Sequence, residues 1–429
     1  MEASSSKILH HIDAPASWTS LPRCLAIRGW GFPTDGNRFS GVRAKFETQT
    51  YTGSIGIPRP DVRSAIKSAP SDDVGFEITV VLPKRKNRIV IEAQLPDGSW
   101  HTLFSKTISR RLYWLPSWLG LNSVTEAILL QTPTSLQYAP RPICADTFPS
   151  LGSPAEARSR ITIVTPSFQQ AAYLPAALQS VLGQANVNCT YVVQDGSSTD
   201  GSVEILKQYP PNTKAPSSSI SFTWESGRDN GQADAIARGF GKTSGDPDDL
   251  MGWLNSDDFY QPGALAFVAD YFAKHPEIDV IYGHRILVDE NSQEIGRWFL
   301  PPHDDEVLRL NDFVPQETLF WRRRIWNKAD GLDKTYQFAM DWDLLLRFQA
   351  AGARMARVPY FLACFRIHPA QKTSAAMRNV GQREIDSLRE RTFKRPFSPA
   401  ELETNPCLLR YLRRSTWIEF LWKRGIRAR

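Results

Sequence analysis

The sequence predicts an α/β protein with a largely parallel sheet, preceded by a small all-β, sandwich-like domain. Three observations predict it. Before about residue 110, short β-branched and aromatic runs such as Phe76-Glu-Ile-Thr-Val-Val-Leu82 and Arg88-Ile-Val-Ile-Glu-Ala93 are separated by turn signals, among them Pro96-Asp-Gly98, which is the pattern of paired half-buried strands. From Ile161 onward, short continuous apolar runs alternate with segments whose apolar residues recur at helical spacing, as successive strand and helix units require. Between the two styles lies Pro-, Ser- and Thr-rich sequence, including Gln131-Thr-Pro-Thr-Ser135, Ala139-Pro-Arg-Pro142 and Ser150-Leu-Gly-Ser-Pro154, with the composition of a linker.

In chain order, residues 1–116 read as the β-rich accessory domain, its only helical periodicity falling at Asp61 to Ser68, and 117–158 as the linker. Residues 159–375 read as the α/β unit. Ile161-Thr-Ile-Val164 opens it as a buried strand, followed by a helix over Leu174 to Leu182. Further strands are expected at Tyr191-Val-Val193, Ser221 to Trp224, Met251 to Leu254 and Val280 to Tyr282, with helices near Gly201 to Tyr209, Gln232 to Phe240 and Gly263 to Lys274. Residues 376–429 read as a C-terminal helical extension, whose last part mixes Leu409, Leu412, Ile418, Leu421 and Trp422 with Arg410, Arg413, Arg414, Lys423 and Arg424. Such a basic amphipathic helix packs on its own domain or lies on a membrane surface; packing is the preferred reading.

At 429 residues the chain is long enough for two domains. Its 41% apolar and 22% charged residues are those of a globular protein and exclude wholesale disorder. A formal charge of +6 favours an anionic partner without choosing one. The five cysteines are scattered and form no C-x-x-C, which argues against a disulfide framework or a structural zinc site. The opening residues lack the apolar core of a secretory signal, and no apolar run reaches the ~18 to 20 residues a spanning helix needs. A cytoplasmic protein is expected.

Ligands of open α/β sheets collect at the carboxyl ends of the strands. Two expected strands run into acidic residues there: Tyr191-Val-Val-Gln-Asp195-Gly-Ser-Ser-Thr-Asp200-Gly, and Met251-Gly-Trp-Leu-Asn255-Ser-Asp257-Asp258. Clustered carboxylates repel unless a cation neutralises them, and a hard divalent ion bridging to phosphate oxygens, Mg²⁺ or Mn²⁺, suits oxygen ligands. Capping of the helix that comes after Pro262 by Asp257 or Asp258 is the plain structural alternative.

These residues resemble the inverting glycosyltransferases of family two, which have a GT-A fold, a Rossmann-like mixed sheet. The resemblance covers about Arg160 to Thr373. Val164-Thr-Pro-Ser-Phe-Gln169 is similar to the family's opening strand and nucleotide-contacting loop, which makes Pro166 and Ser167 donor contacts. Gln194-Asp-Gly-Ser-Ser-Thr-Asp-Gly-Ser202 resembles its uracil-contacting turn, with Asp195 on the base. Asn255-Ser-Asp257 stands at its D-x-D position, so the resemblance makes Asp257 the main metal ligand and Asn255 and Ser256 donor contacts. The segment Glu225 to Ile236 resembles the donor-side loop and helix, with Asp229 and Gln232 positioning the donor; the plain reading of Asp234 is an exposed helix residue. Ala339-Met-Asp341-Trp-Asp-Leu-Leu-Leu-Arg347 resembles the segment carrying the general base, Asp341, and Arg366-Ile-His368-Pro-Ala-Gln-Lys372-Thr the loop over the diphosphate, with His368 a metal or phosphate ligand and Lys372 a diphosphate contact.

The resemblance thus implies a divalent metal, a nucleotide-diphosphate sugar as donor, a glycan or lipid-linked acceptor, work at the inner face of a membrane and no nucleic acid. A sugar-transfer transition state needs its leaving diphosphate neutralised and its acceptor hydroxyl deprotonated. Asp341 is expected to serve as that base; capping of the helix over Trp342 to Ala351 is the alternative for Asp341 and the preferred reading for Asp343. The acceptor is expected to dock against residues 283–320, with Pro315-Gln-Glu317 in it. Asn255 brings no charge to the D-x-D position and Met340 stands where the family often has Glu. A glycan-binding protein on a degenerate transferase scaffold therefore stays open. A P-loop is disfavoured, because Gly241-Lys-Thr243 has Ile236 where the first glycine belongs.

Overall fold

The computed structural model describes residues 8–14, 18, 24–47, 49–82, 86–109, 138–145, 147–149, 159–209, 219–368 and 380–422. The chain divides into two compact units near Pro140.

The first unit contains β1 (Ile8–Ala14), β2 (Cys24–Pro33), β3 (Gly41–Lys45), β4 (Thr50–Thr52), β5 (Ser54–Ile57), the short helix α1 (Pro60–Ala65), β6 (Gly75–Val81), β7 (Lys86–Gln94) and β8 (Trp100–Ser109). The strands form two antiparallel four-stranded sheets, ordered β1-β2-β6-β5 and β4-β3-β7-β8. Alternation makes this a sandwich. Phe76, Ile78 and Val80 point from β6, and Ile89, Ile91 and Ala93 from β7, into one buried cluster shared with Ile27, Val42 and Ala44.

The second unit is built on β9 (Ile161–Ser167), helix α2 (Leu174–Leu182), β10 (Asn188–Asp195), α3 (Ser202–Lys207), β11 (Ser219–Ser226), α4 (Gln232–Gly241), β12 (Leu250–Trp253), β13 (Phe259–Tyr260), α5 (Ala264–Lys274), β14 (Val280–Val288), β15 (Glu294–Trp298), α6 (Asp305–Leu310), a 3-10 turn at Gln316–Thr318, β16 (Phe320–Arg322), α7 (Arg323–Lys328), α8 (Met340–Ala350) and β17 (Met355–Arg366). Three helices complete it: α9 (Gln382–Phe393), α10 (Pro399–Thr404) and α11 (Pro406–Trp422). This is the α/β architecture the sequence predicts, and the expected strands and helices of 161–282 all form.

The sheet runs β11-β10-β9-β12-β16-β14-β17-β13, with β15 beside β14. It is mixed, as the family resemblance implies, where the strand and helix alternation alone suggested a largely parallel one. The β11-β10-β9-β12 half is parallel, but β16 enters antiparallel between β12 and β14, and β13 and β15 also pair antiparallel. β16 is only three residues long, too short for periodicity to announce it.

Both faces of the sheet are covered. Ile161 and Ile163 of β9 pack with α2 and α5 through Leu174, Leu178, Leu265 and Val268. Val164 faces the other way, toward Ile236 and Phe240 of α4, Leu345 and Phe348 of α8, and Ile385, Leu388, Leu408 and Tyr411 of the C-terminal helices. Burial on both sides explains why β9 reads as a continuous apolar run. Residues 140–148 belong to this unit as well: Arg141 bridges to Glu294 and Phe148 stacks on Phe267. The inner side of α11 packs as expected through Leu408, Tyr411, Leu412 and Ile418.

Candidate active site

The parallel register aligns the strand ends: Asp195 stands opposite Ser167 on one side and Ser226 on the other. Asp195 is fully buried. Its Oδ1 accepts the Ser198 hydroxyl at 2.6 Å, and its Oδ2 accepts the Ser198 amide at 2.9 Å and the Ser226 hydroxyl at 2.6 Å. A carboxylate has about four acceptor positions, so three are spent within the protein, two on its own turn, which Ser197 closes at a φ of +66°, and one on the end of β11. Pro166 and Ser167 are buried at the end of β9, and the Ser167 hydroxyl has no hydrogen-bond partner among the described residues.

Over this turn stands Phe168, with 60% of its surface exposed. A Cβ placed on Gly196 would lie 3.2 Å from the Phe168 ring and 2.9 Å from Oδ2 of Asp229. The glycine thus lets an aromatic face and a carboxylate converge above the backbone. Sequence reasoning assigned no role to Phe168; an aromatic residue just past a buried strand end, where ligands collect, was the available signal. Asp229 also accepts the Gly231 amide at 2.9 Å.

Gln232, first residue of α4, donates from Nε2 to Oδ1 of Asn255 at 2.7 Å. Asn255 donates from Nδ2 to Oε1 of Gln316 at 3.0 Å, and Gln316 donates to the Trp253 carbonyl at 2.8 Å. An amide chain from three elements therefore holds Asn255. A carboxylate there could not donate to Gln316, which gives the asparagine a physical reason. Ser256 beside it is buried. Asp234, expected on an exposed helix face, is buried and pairs with Lys334 at 2.9 Å and Arg238 at 2.7 Å. Its hydrogen bond to Lys334 leads the causes that hold its carboxyl below the usual range.

Past β12 the chain brings Asp257 to His368, whose Nε2 lies 3.1 Å from Oδ2 of Asp257. His368 is buried against the Tyr173 ring, with centroids 4.6 Å apart. Arg366 donates from Nε to the Asp257 carbonyl at 2.9 Å and lies over the same tyrosine. Asp258 is buried, accepts the Arg366 amide at 3.0 Å and has its carboxyl pushed well up, first by burial and then by Asp257 and Glu317. Neither aspartate caps a helix: α5 begins after Gly263 with no side-chain cap. Two adjacent ligands of an octahedral ion at about 2.1 Å lie about 3.0 Å apart, so the Asp257–His368 pair suits two neighbouring positions on a hard divalent ion. Among the described residues, no group of three or more acidic, His or Cys side chains is arranged to hold a metal.

Asp341, the second residue of α8, is half-buried and accepts the Trp342 amide at 2.9 Å. Trp342 is anchored through its indole N–H to the Leu308 carbonyl at 2.7 Å. Asp343 is fully buried and pairs with Arg347 and Arg391, each at 2.7 Å, so it ties helices together and does not cap α8. Lys372 lies outside the described residues.

A sequence profile described as Glycosyl transferase family 2 matches residues 162–330, from β9 to just past α7. A PGL/p-HBAD biosynthesis glycosyltransferase of Mycobacterium bovis is 28% identical over 197 residues, spanning 46% of this chain and 72% of that protein. Chondroitin synthase of Escherichia coli is 22% identical over 196 residues, 45% of this chain and 27% of that one. Among solved structures, mannosyltransferase PcManGT from Pyrobaculum calidifontis in complex with GDP-Man and Mn²⁺ aligns with a TM-score of 0.43 and 15% identity, over 63% of this chain and 73% of that one. The profile begins on the strand whose end carries Pro166 and Ser167 and runs through Asp195, Asn255 and Asp257, so the stretch from β9 to α7 is similar in sequence to glycosyl transferase family 2 and to these glycosyltransferases.

Proposed function

We propose that the chain transfers a sugar from a nucleotide-diphosphate donor to an acceptor hydroxyl with inversion, assisted by a divalent metal, Mn²⁺ or Mg²⁺, in polysaccharide or glycoconjugate synthesis. The observation that carries this reading is the Asp257–His368 pair, set at the end of β12 two strands from the Asp195 turn. In it, Asp195 uses its remaining acceptor position on the base and Phe168 covers the base's face. Pro166 and Ser167 line the nucleotide, Asp229, Gln232, Asn255 and Ser256 hold ribose and sugar, and Lys372 contacts the diphosphate. Asp257 and His368 would hold the metal, which supplies Lewis-acid neutralisation of the leaving diphosphate.

Asp341 takes the proton of the acceptor hydroxyl. The acceptor oxygen then bonds to the anomeric carbon from the face opposite the nucleotide, while the bond from that carbon to the diphosphate breaks and its electron pair leaves with the nucleotide. The geometric requirement is a near-attack arrangement, with reacting atoms about 3 to 3.5 Å apart. Retained anomeric configuration in the product would overturn this version.

The acceptor is a glycan or lipid-linked glycan, reached from the cytoplasmic face of a membrane. Supporting this, the outer side of α11 exposes Trp417, stacked on Phe420 at 5.2 Å, beside the exposed Arg413 and Arg414. Interfacial helices pair aromatic and basic residues in this way. No described helix is long and apolar enough to cross a membrane. Binding to anionic vesicles should weaken in Trp417→Ala/Phe420→Ala; equal binding would remove the membrane from the reading.

The deciding experiment monitors nucleotide release from a panel of UDP-, GDP- and dTDP-sugars with Mn²⁺ or Mg²⁺, for the wild type, Asp257→Ala and Asp341→Asn. Turnover with one donor that needs metal and is lost in both variants supports the proposal. Metal-independent turnover, or full activity of Asp257→Ala, overturns the metal site.

A further inference from the structure

Helix α8 begins without a side-chain cap of its own. Its approach is held from outside by Glu384, in the first turn of α9. Oε1 of Glu384 accepts the Gln337 amide at 2.8 Å, and Oε2 accepts the amides of Phe338 and Ala339, also at 2.8 Å each. Three consecutive N–H groups converge on one carboxylate, directly before Met340 and Asp341. This is the positive end of the helix, where an anion is favoured and where free N–H groups need acceptors.

The grip is reinforced along α9. Arg391 reaches Asp343 at 2.7 Å, Arg389 donates to the Leu310 carbonyl at 2.8 Å, and Ile385 and Leu388 are buried in the core shared with Met340 and Trp342. All of α9 lies beyond the segment matched by the family profile, which ends at residue 330.

We propose that Glu384 is a positioning residue for sugar transfer: it fixes the backbone of residues 337–339 and thereby the placement of Asp341. The inference rests on the reading of Asp341 as the base. A carboxylate suits the task because both oxygens accept. Glutamine keeps one acceptor and turns its –NH₂ toward amides that are themselves donors, so the loop must shift while the buried contacts of α9 stay. Shifts of about 1 Å at a reacting group cost roughly 100-fold in rate.

The test compares Glu384→Gln and Glu384→Ala with the wild type, alone and combined with Asp341→Asn, in the full chain. The readouts are kcat, donor KM, nucleotide affinity and thermal denaturation. Glu384→Gln should remain folded, lose kcat by roughly 10- to 100-fold and keep donor KM and nucleotide affinity, since the donor is held on other strands. In the Asp341→Asn background the residual rate should not fall further, because the two residues act as one unit. An unchanged kcat in folded Glu384→Gln overturns the inference. So does an equal further loss in the Asp341→Asn background, or a parallel loss of nucleotide affinity. Wild-type turnover by Asp341→Asn alone would instead remove the base assignment, and with it the residue through which Glu384 acts.

Discussion

Asp257 and His368 are separated by 111 positions in the chain, yet Oδ2 of the first lies 3.1 Å from Nε2 of the second. Asp257 sits on the loop after β12 and His368 just after β17, two strands that do not pair with each other. Their meeting depends on the crossing of Arg366 under the loop, where its guanidinium holds the Asp257 carbonyl while its own amide is held by Asp258. His368→Ala should therefore raise the metal concentration needed for half-maximal nucleotide release. Loss of even an outer partner of a metal site costs about 10- to 100-fold in affinity, and a shift of at least that size is expected in a Mn²⁺ titration. An unchanged titration would remove His368 from the metal site altogether.

Gly196 lies in the turn after β10, close beneath Phe168 and Asp229. Gly196→Ala would place a methyl group 2.9 Å from Asp229 Oδ2 and 3.2 Å from Phe168, too close for either to stay. Nucleotide affinity should drop while the unfolding temperature stays near the wild-type value, since both displaced side chains border open space. Calorimetric titration with UDP and GDP reads the first and a thermal scan the second. Unaltered affinity would show that Phe168 and Asp229 are not part of the donor site.

Glu317 is buried and forms a two-pronged ion pair with Arg285, both bonds at 2.6 Å. The guanidinium is also sandwiched near Phe365 and Trp298. Glu317→Ala leaves a buried cation without its partner, which costs about 3 to 5 kcal/mol. Replacing both by apolar residues, Arg285→Met with Glu317→Leu, should recover most of that loss. Urea denaturation of the wild type and the two variants checks the pair; Glu317→Ala within about 1 kcal/mol of the wild type would contradict it.

His284 is buried between Phe299 and Phe361, and its Nδ1 accepts the Leu300 amide at 3.1 Å. Burial first, and then the Arg357 charge, push its pKa well below the ordinary 6.5. The folded state thus keeps a neutral ring where the unfolded chain takes a proton. Its contribution to stability is complete above about pH 6.5 and declines as pH falls from there toward the depressed folded value, by up to about 1.4 kcal/mol per pH unit. His284→Asn keeps an acceptor near the Nδ1 position and should flatten that acid limb, at lower overall stability. Equal pH dependence in denaturation curves of the two proteins would rule the histidine out as its source.

Much of the site was legible in the sequence because strand ends are local features. A continuous apolar run such as Ile161 to Val164 marks a strand covered on both faces, and the residues just past its carboxyl end stand where ligands collect. Asp195, Asn255 and Asp257 could be placed at strand ends in this way, whereas Pro166 and Ser167 came from the family resemblance. Asp234 was misjudged for the opposite reason: its periodicity allowed an exposed face, but Lys334, 100 positions away, is the partner that makes its burial tolerable. The capping alternative failed for Asp257 and Asp258, since α5 starts after Gly263 with no side-chain cap, while Asp341 does accept a first-turn amide of α8, that of Trp342.

What the sequence determined by itself was the class of the fold, the change of style from sandwich to α/β, and the motifs at the strand ends, because alternation, helical period and turn chemistry act over a few residues. Only the tertiary structure decided that β16 would enter antiparallel, that Gln232 and Gln316 would hold Asn255 between them, that His368 would reach Asp257, and that a glutamate of the C-terminal helices would grip the approach to Asp341. Those are pairings of polar groups far apart in the chain. Each is chosen by which donor and acceptor the packed sheet happens to bring within about 3 Å, and no local pattern encodes that distance.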